Sequence, residues 1–191
     1  MAPRSIYLVR HTEVGVPDGT CYGQTDVPLH TNAPQHIEQV RAKLTPVTDR
    51  HIVSSPLTRC RRLSEALGGP DDIDARLQEL HFGAWEMQSW SGIERGELNR
   101  WRDDIVDAPP PGGEAFGALA ERATACIESL LAEATDASSL VIVTHGGVIR
   151  ALLAWALEVP LEKALAMHVD YGGVTRVDAY PEHRRIHYVN R

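Results

Sequence analysis

Two histidines stand directly behind apolar runs. Arg10-His11-Thr12-Glu13 follows Ile6-Tyr7-Leu8-Val9, and His145-Gly146-Gly147 follows Leu140-Val141-Ile142-Val143-Thr144. A neutral imidazole nitrogen is a nucleophile, and a guanidinium beside it presents a planar fork of donors that matches phosphoryl oxygens. A short continuous apolar run bounded by turn residues marks a strand buried on both faces. In open α/β sheets the carboxyl ends of parallel strands line one crevice, where ligands bind. Two histidines delivered to two strand ends, one beside an arginine and one opening a helix, therefore point to phosphoryl chemistry. A lone loop histidine or an isolated Gly-Gly turn would not.

The elements that must position these groups are legible from pattern and punctuation. Strands are predicted near 5–9, 51–54, 73–77, 139–144, 166–169, 173–178 and 184–189. Helices are predicted at 33–44, 56–67, 91–104, 114–134 and 146–157, with a short turn at 161–165; Pro34, Pro56 and Pro160 fall where helices begin or end. This alternation predicts a mostly parallel sheet covered on both faces. Tyr171-Gly172-Gly173 is short enough for a hairpin, so at least one strand is expected to run antiparallel. The expected fold class is α/β with a mixed sheet. Residues 78–113 carry Trp85, Trp90 and Trp101, close on Pro109-Pro110-Pro111-Gly112-Gly113, and read as a cap inserted into a single domain spanning 1–191. The tryptophans are expected to pack the cap rather than to stack on a ligand.

The chain has 191 residues, 43% hydrophobic and 24% charged, the balance of an ordinary globular domain that buries roughly 70% of its unfolded surface. A net charge of −7 argues against nucleic acid or an anionic membrane surface as partner. The most apolar helical stretch, 148–157, is interrupted by Arg150 and falls short of the ~20 residues of a membrane span. The apolar run behind Arg4 is too short for a secretory signal. Cys21, Cys60 and Cys126 form neither a CxxC nor a metal-finger spacing and suit a reducing cytoplasm. His30, His36, His51, His81, His168, His183 and His187 show no metal-ligand spacing either, so no metal and no cofactor is expected.

Further blocks complete the pattern: Tyr22 to Leu29 (YGQTDVPL), Ser54 to Arg59 (SSPLTR), Glu79 to Glu86 (ELHFGAWE), Gly113 to Phe116 (GEAF) and Thr144 to Gly147 (THGG). Together with Leu-Val-Arg-His-Thr-Glu they resemble, in order, the histidine phosphatase superfamily. The resemblance implies a three-layer α/β/α sandwich and metal-free phosphoryl transfer through a phosphohistidine, with a small phosphomonoester as substrate. Carried over by position, His11 is the nucleophile, Arg10, Arg59 and His145 hold the phosphoryl oxygens, and Glu79 is the proton donor. Thr12, Gln24 and Gly146 join them as phosphate or substrate contacts, the alternatives being that Gln24 braces its own loop and that the Thr12 hydroxyl bonds its local backbone. Cationic neighbours favour a neutral, attacking His11. Glu79 must hold a proton to hand to an alkoxide, which the charge of the bound phosphate and cover by Phe82 and Trp85 would favour. Arg59 is selected over Arg61 and Arg62 because residues two or three apart on a helix point in different directions.

The sequence departs from the usual pattern at Thr12, where glycine commonly follows the histidine, and in lacking an asparagine a few residues later. Glu13 is expected to orient a catalytic arginine, Glu114 to serve a helix start through dipole and capping effects, and Arg150 to be structural. Cys21 to Leu29, Phe82 to Met87 and His168 to Gly173 resemble the α-ribazole phosphatases of cobalamin biosynthesis. That resemblance implies removal of the 5′-phosphate from α-ribazole phosphate or from the corresponding cobalamin phosphate. The alternatives are a broad-range sugar phosphate or nucleotide phosphatase, a phosphoglycerate mutase-like enzyme, and a non-catalytic phosphate-binding scaffold. Intact His11, Glu79, Arg10, Arg59 and His145 argue against the last. A mutase must retain its intermediate and exclude water, usually with extra segments over the site.

Overall fold

A computed structural model describes residues 4–133 and 137–191. Six strands form one sheet: β1 (Arg4–Arg10), β2 (Arg50–Ser54), β3 (Asp72–Ile73), β4 (Ser139–Thr144), β5 (Val174–Ala179) and β6 (Arg184–Tyr188), in the order β3-β2-β4-β1-β5-β6. The pairings β1 with β4, β2 with β4 and β2 with β3 are parallel, whereas β5 runs antiparallel to both β1 and β6. The helices are α1 (Ala33–Leu44), α2 (Thr58–Ala66), α3 (Arg95–Asp103), α4 (Phe116–Ala132), α5 (Gly146–Leu157) and α6 (Leu161–Ala164). Residue 134, the expected end of α4, and the N-terminal residues 1–3 of the expected domain lie outside the described residues.

Side chains alternate across the pleat, so each central strand feeds two cores. Ile6, Leu8, Leu140 and Ile142 pack with α4 and α5 on one face, while Tyr7, Val9, Val141 and Val143 pack with α1 and α2 on the other. The result is three layers. Burying both faces explains why β1 and β4 read as unbroken apolar runs. Among the described residues no helix is long and apolar enough to cross a membrane.

Register carries the site. Arg10 pairs with Thr144 across β1 and β4, and the His11 amide donates to the Thr144 carbonyl at 3.0 Å. Ser54 pairs with Val143, and the Ser55 amide donates to the Val143 carbonyl at 2.9 Å. Three adjacent parallel strands thus end at one level and release His11, His145 and Ser55 side by side.

Two expected strands are corrected. Residues 166–169 are irregular, because their carbonyls serve arginines: Arg150 Nε donates to the Met167 carbonyl at 2.8 Å and Arg10 Nη1 to the Val169 carbonyl at 2.6 Å. The antiparallel strand is therefore β5 against β1, not a hairpin at Tyr171. In 73–77 the strand stops at Ile73, where the Asp74 side chain accepts from the Arg76 amide and starts the 3₁₀ turn Ala75–Leu77 that buries Leu77. The expected helix 91–104 begins later, since Ile93 is buried against Cys21 and Trp85, and the Glu94 carboxylate caps α3 by accepting from the Gly96 and Glu97 amides.

Candidate active site

His11 is 1% exposed, and its Nδ1 lies 2.8 Å from the Thr12 carbonyl. A carbonyl only accepts, so the proton sits on Nδ1 and the Nε2 lone pair is left for attack. Burial first, then the charges of Arg59 and Arg10, push the pKa of His11 well below its ordinary value, so the imidazole is neutral.

Arg59 is fully buried at the start of α2. That helix has no cap of its own. Asp26 supplies one, its carboxylate accepting from the Thr58 amide at 2.9 Å and the Thr58 hydroxyl at 2.6 Å. The guanidinium donates to the Thr25 carbonyl at 3.0 Å, to the Gly23 carbonyl at 2.6 Å and through Nε to His145 Nδ1 at 3.3 Å. His145 Nδ1 is thus an acceptor, and its Nε2–H donates to the Ser55 hydroxyl at 2.8 Å. Burial first, then His11 and Arg59, keep this histidine neutral as well. Both its ring nitrogens are engaged within the protein, so donation to a phosphoryl oxygen requires exchanging the Ser55 bond. The two histidine rings stand 5.1 Å apart, and the buried Cys60 thiol lies 3.5 Å from His145 Nε2. Burial pushes the Cys60 thiol up, so it stays protonated.

Among the described residues, the buried Arg10 Nε and Thr12 hydroxyl here have no hydrogen-bond partner. Leaving a buried donor unpaired is costly. At a nucleophile flanked by arginines, both suit an incoming oxyanion. Thr12, 0% exposed, makes no local backbone bond through its hydroxyl.

Glu79 is held by its own surroundings. Its carboxylate accepts from the Leu80 amide at 2.9 Å and from the Gly147 amide at 3.2 Å. A Cβ on Gly147 would stand 2.3 Å from Glu79 Oε1, so a side chain there would move the carboxylate from this position. Gly147 is thus a site residue that the sequence reading passed over in favour of Gly146. A Cβ on Gly146 would meet Arg150 Nη1 at 3.2 Å and Arg10 Cζ at 3.5 Å. The Glu79 carbonyl accepts from Gln24 Nε2 at 2.9 Å and from Arg122 Nη2 at 3.1 Å. Gln24 therefore braces the Glu79 backbone. Glu114 does not cap α4; Arg122 takes its carboxylate through two bonds of 2.7 Å and also holds the Arg76 and Gln78 carbonyls. Nothing local in the sequence marks Arg122, because the backbone carbonyls it holds lie more than forty residues away. Glu86 joins the Gln24-Thr25 loop to Phe82, accepting from all three amides. Burial opposes its charge, yet these bonds and the Thr25 hydroxyl hold its carboxyl below the usual range.

A cavity of about 340 Å³ opens onto Glu79, Arg10, Arg150, Phe82 and Trp90. Beside it a cavity of about 500 Å³ is lined by Glu13, Asp18, Thr20 and His30. Tyr22 and Tyr171 line both, with their hydroxyls 2.8 Å apart and their ring centroids 6.5 and 5.5 Å from that of His11. The Tyr171 ring packs 3.8 Å from Arg10 Cζ. Burial, then the bond to Tyr171, keeps the Tyr22 hydroxyl protonated. Glu13 orients no arginine; its carboxylate lies 3.8 Å from His30 and 3.7 Å from His36. Trp85 and Trp101 pack the cap as expected, meeting at 5.6 Å, whereas Trp90 also faces the cavity.

A neutral nucleophilic imidazole, guanidinium donors and a carboxyl at one crevice can carry out phosphoryl transfer in two displacements. Comparisons with known proteins find similarity to phosphatases and a probable mutase. Over 182 residues the chain is 32% identical to the probable phosphoglycerate mutase GpmB of Shigella boydii serotype 18, covering 91% of this chain and 84% of that protein. It superposes on a mycobacterial glucosyl-3-phosphoglycerate phosphatase, Rv2419c, with a TM-score of 0.88 at 24% identity, over 98% of this chain and 99% of that one. The α-ribazole phosphatase of Shigella flexneri gives a TM-score of 0.87 at 25% identity, over 98% and 96%. The family described as histidine phosphatase superfamily (branch 1) matches residues 6–191, and this chain belongs to it.

Proposed function

We propose that this chain hydrolyses phosphomonoesters through a phosphohistidine at His11. The observation that carries this reading is the buried, neutral His11 with Nε2 unengaged, beside the unpartnered Arg10 Nε and Thr12 hydroxyl. His11 Nε2 attacks phosphorus, the ester P–O bond breaks, and Glu79 gives its proton to the departing alkoxide. Glu79, now a carboxylate, takes a proton from water as that water attacks phosphorus, releasing inorganic phosphate and free His11. Arg10 and Arg59 neutralise the equatorial oxygens, His145 holds Arg59, and the N-terminus of α5 at Gly146 adds the positive end of its dipole. The three free thiols suit a cytoplasmic site of action.

The substrate in this reading is α-ribazole 5′-phosphate or its cobalamin-linked form. Three features support it: the sequence blocks at Cys21 to Leu29 and His168 to Gly173, the likeness to the Shigella flexneri phosphatase, and the aromatic wall of Phe82 and Trp90 beside Glu79. The wall offers planar apolar surface to a benzimidazole. Discrimination must come from this remote binding, because the phosphoryl group is common to every monoester. The kcat/KM for α-ribazole 5′-phosphate is expected to exceed that for 3-phosphoglycerate, sugar phosphates and mononucleotides by at least ~10-fold. A flat profile would select the broad-range phosphatase, and exchange of phosphate between the 2- and 3-positions of glycerate would select the mutase activity named for the GpmB relatives.

A further inference from the structure

Arg150 stands on the first turns of α5, in the cavity that holds Glu79. Its Nε donates to the Met167 carbonyl at 2.8 Å, which accounts for one nitrogen of three. Among the described residues no carboxylate lies within ion-pair distance of it, and neither terminal nitrogen has a protein hydrogen bond. Nη1 lies over the bare Cα of Gly146, where the Arg10 guanidinium also approaches. The two guanidinium groups repel across Gly146, and the Glu79 carboxylate that shares the cavity offsets this without reaching ion-pair distance of Arg150. Burial lowers the pKa of Arg150, with the Glu79 charge opposing this and the Arg10 charge adding to it. The arrangement makes sense when oxygen acceptors occupy the cavity.

His11, Arg59 and His145 are almost wholly enclosed, with the His11 ring against the Tyr22 and Tyr171 rings that line this cavity, whereas Arg10, Glu79 and Arg150 line it directly. A proton donor must touch the leaving oxygen, so the leaving alcohol occupies the space these two share. We infer that Arg150 selects the leaving alcohol, its two terminal nitrogens donating to a pair of adjacent oxygens on it, either a vicinal diol or a carboxylate. A planar fork suits either pair, and a site built to donate to such oxygens discriminates against ligands that lack them. This inference rests on the phosphatase reading above. It deepens that reading, since α-ribazole 5′-phosphate brings the ribose diol and a phosphorylated hydroxy acid brings the carboxylate.

The test compares Arg150→Met and Arg150→Lys with the unaltered protein on α-ribazole 5′-phosphate, 3-phosphoglycerate and p-nitrophenyl phosphate, together with inhibition by inorganic phosphate. Arg150→Met is expected to lower kcat/KM at least ~10-fold on the preferred paired-oxygen substrate. On p-nitrophenyl phosphate, and in the inhibition constant of phosphate, the change stays under about 2-fold. Arg150→Lys separates the two sources: a point charge restores much of the carboxylate substrate's rate and little of the diol's. Equal losses on all three esters with weakened phosphate inhibition would assign Arg150 to the phosphoryl pocket, and no loss on any would make it a tether for Met167. Either result overturns the inference. A binding arm needs no turnover: calorimetry in a His11→Ala background should show Arg150→Met weakening the paired-oxygen ligand and leaving inorganic phosphate unchanged. Failure of the phosphatase reading shows separately, as absent hydrolysis of p-nitrophenyl phosphate by the unaltered protein.

Discussion

In the proposed cycle the residue whose task is hardest is Glu79, which must be an acid in one half and a base in the other. Leaving groups separate these tasks. In a pre-steady-state measurement, Glu79→Gln is expected to slow phosphorylation of His11 by 100-fold or more with an alkyl phosphate, within the range of about 10²–10⁴ typical of general acids. With an aryl phosphate, whose oxygen departs with little protonation, the loss should be far smaller; equal losses would exclude the role. The structure gathers His11, Arg10, Arg59, Glu79 and His145 around one crevice, a grouping legible in the sequence from their motifs. Gly147 and Tyr171 were not legible there. Gly147 matters because a carboxylate sixty-eight residues away occupies its Cβ position and would be displaced by a side chain, and Tyr171 matters because it meets Arg10 and Tyr22 across the fold. Neither constraint leaves a mark in local sequence.

At the scale of elements, the strands buried on both faces announced themselves, and α1 and α5 occupy the predicted spans. Segments shaped by long-range hydrogen bonds did not. Residues 166–169 have strand composition but spend two carbonyls on Arg150 and Arg10, and 73–77 yields to the Asp74 turn. The Glu79 segment is likewise suspended from Arg122, which grips three of its carbonyls and is itself fixed by Glu114. Arg122→Met is therefore expected to reduce kcat at least ~10-fold, because a displaced catalytic group loses orientation. Inhibition by inorganic phosphate should hardly change. Adding Glu114→Gln removes the orphaned half-buried carboxylate and should recover part of the lost stability without recovering kcat. Recovery of both together would reduce Arg122 to a stability element.

At the scale of the whole molecule, two neutral histidines sealed between three layers tie stability to pH. Their pKa values are lowered in the folded state, so below about pH 6.5 the unfolded chain binds protons that the native chain does not. Their contribution is complete above that value and is lost as pH falls from it toward the depressed values. The limiting slope is about 1.4 kcal/mol per pH unit for each histidine. Denaturant unfolding between pH 7.5 and 5 should show this fall, with about half the slope in His145→Gln; an unchanged slope in that variant would contradict it. The three-layer architecture was legible as a whole, because its burial pattern is written in every central strand. The partition of the crevice by Tyr22 and Tyr171 was not, since it depends on two loops meeting. The central claim concerns one nitrogen atom, and rapid mixing with substrate followed by alkaline quench and peptide mass spectrometry tests it directly, since acid would destroy the adduct. The phosphoryl group is expected on His11, formed before inorganic phosphate is released and absent from His11→Ala. Turnover with no phosphoryl group on His11, or with the group on another residue, would contradict the account.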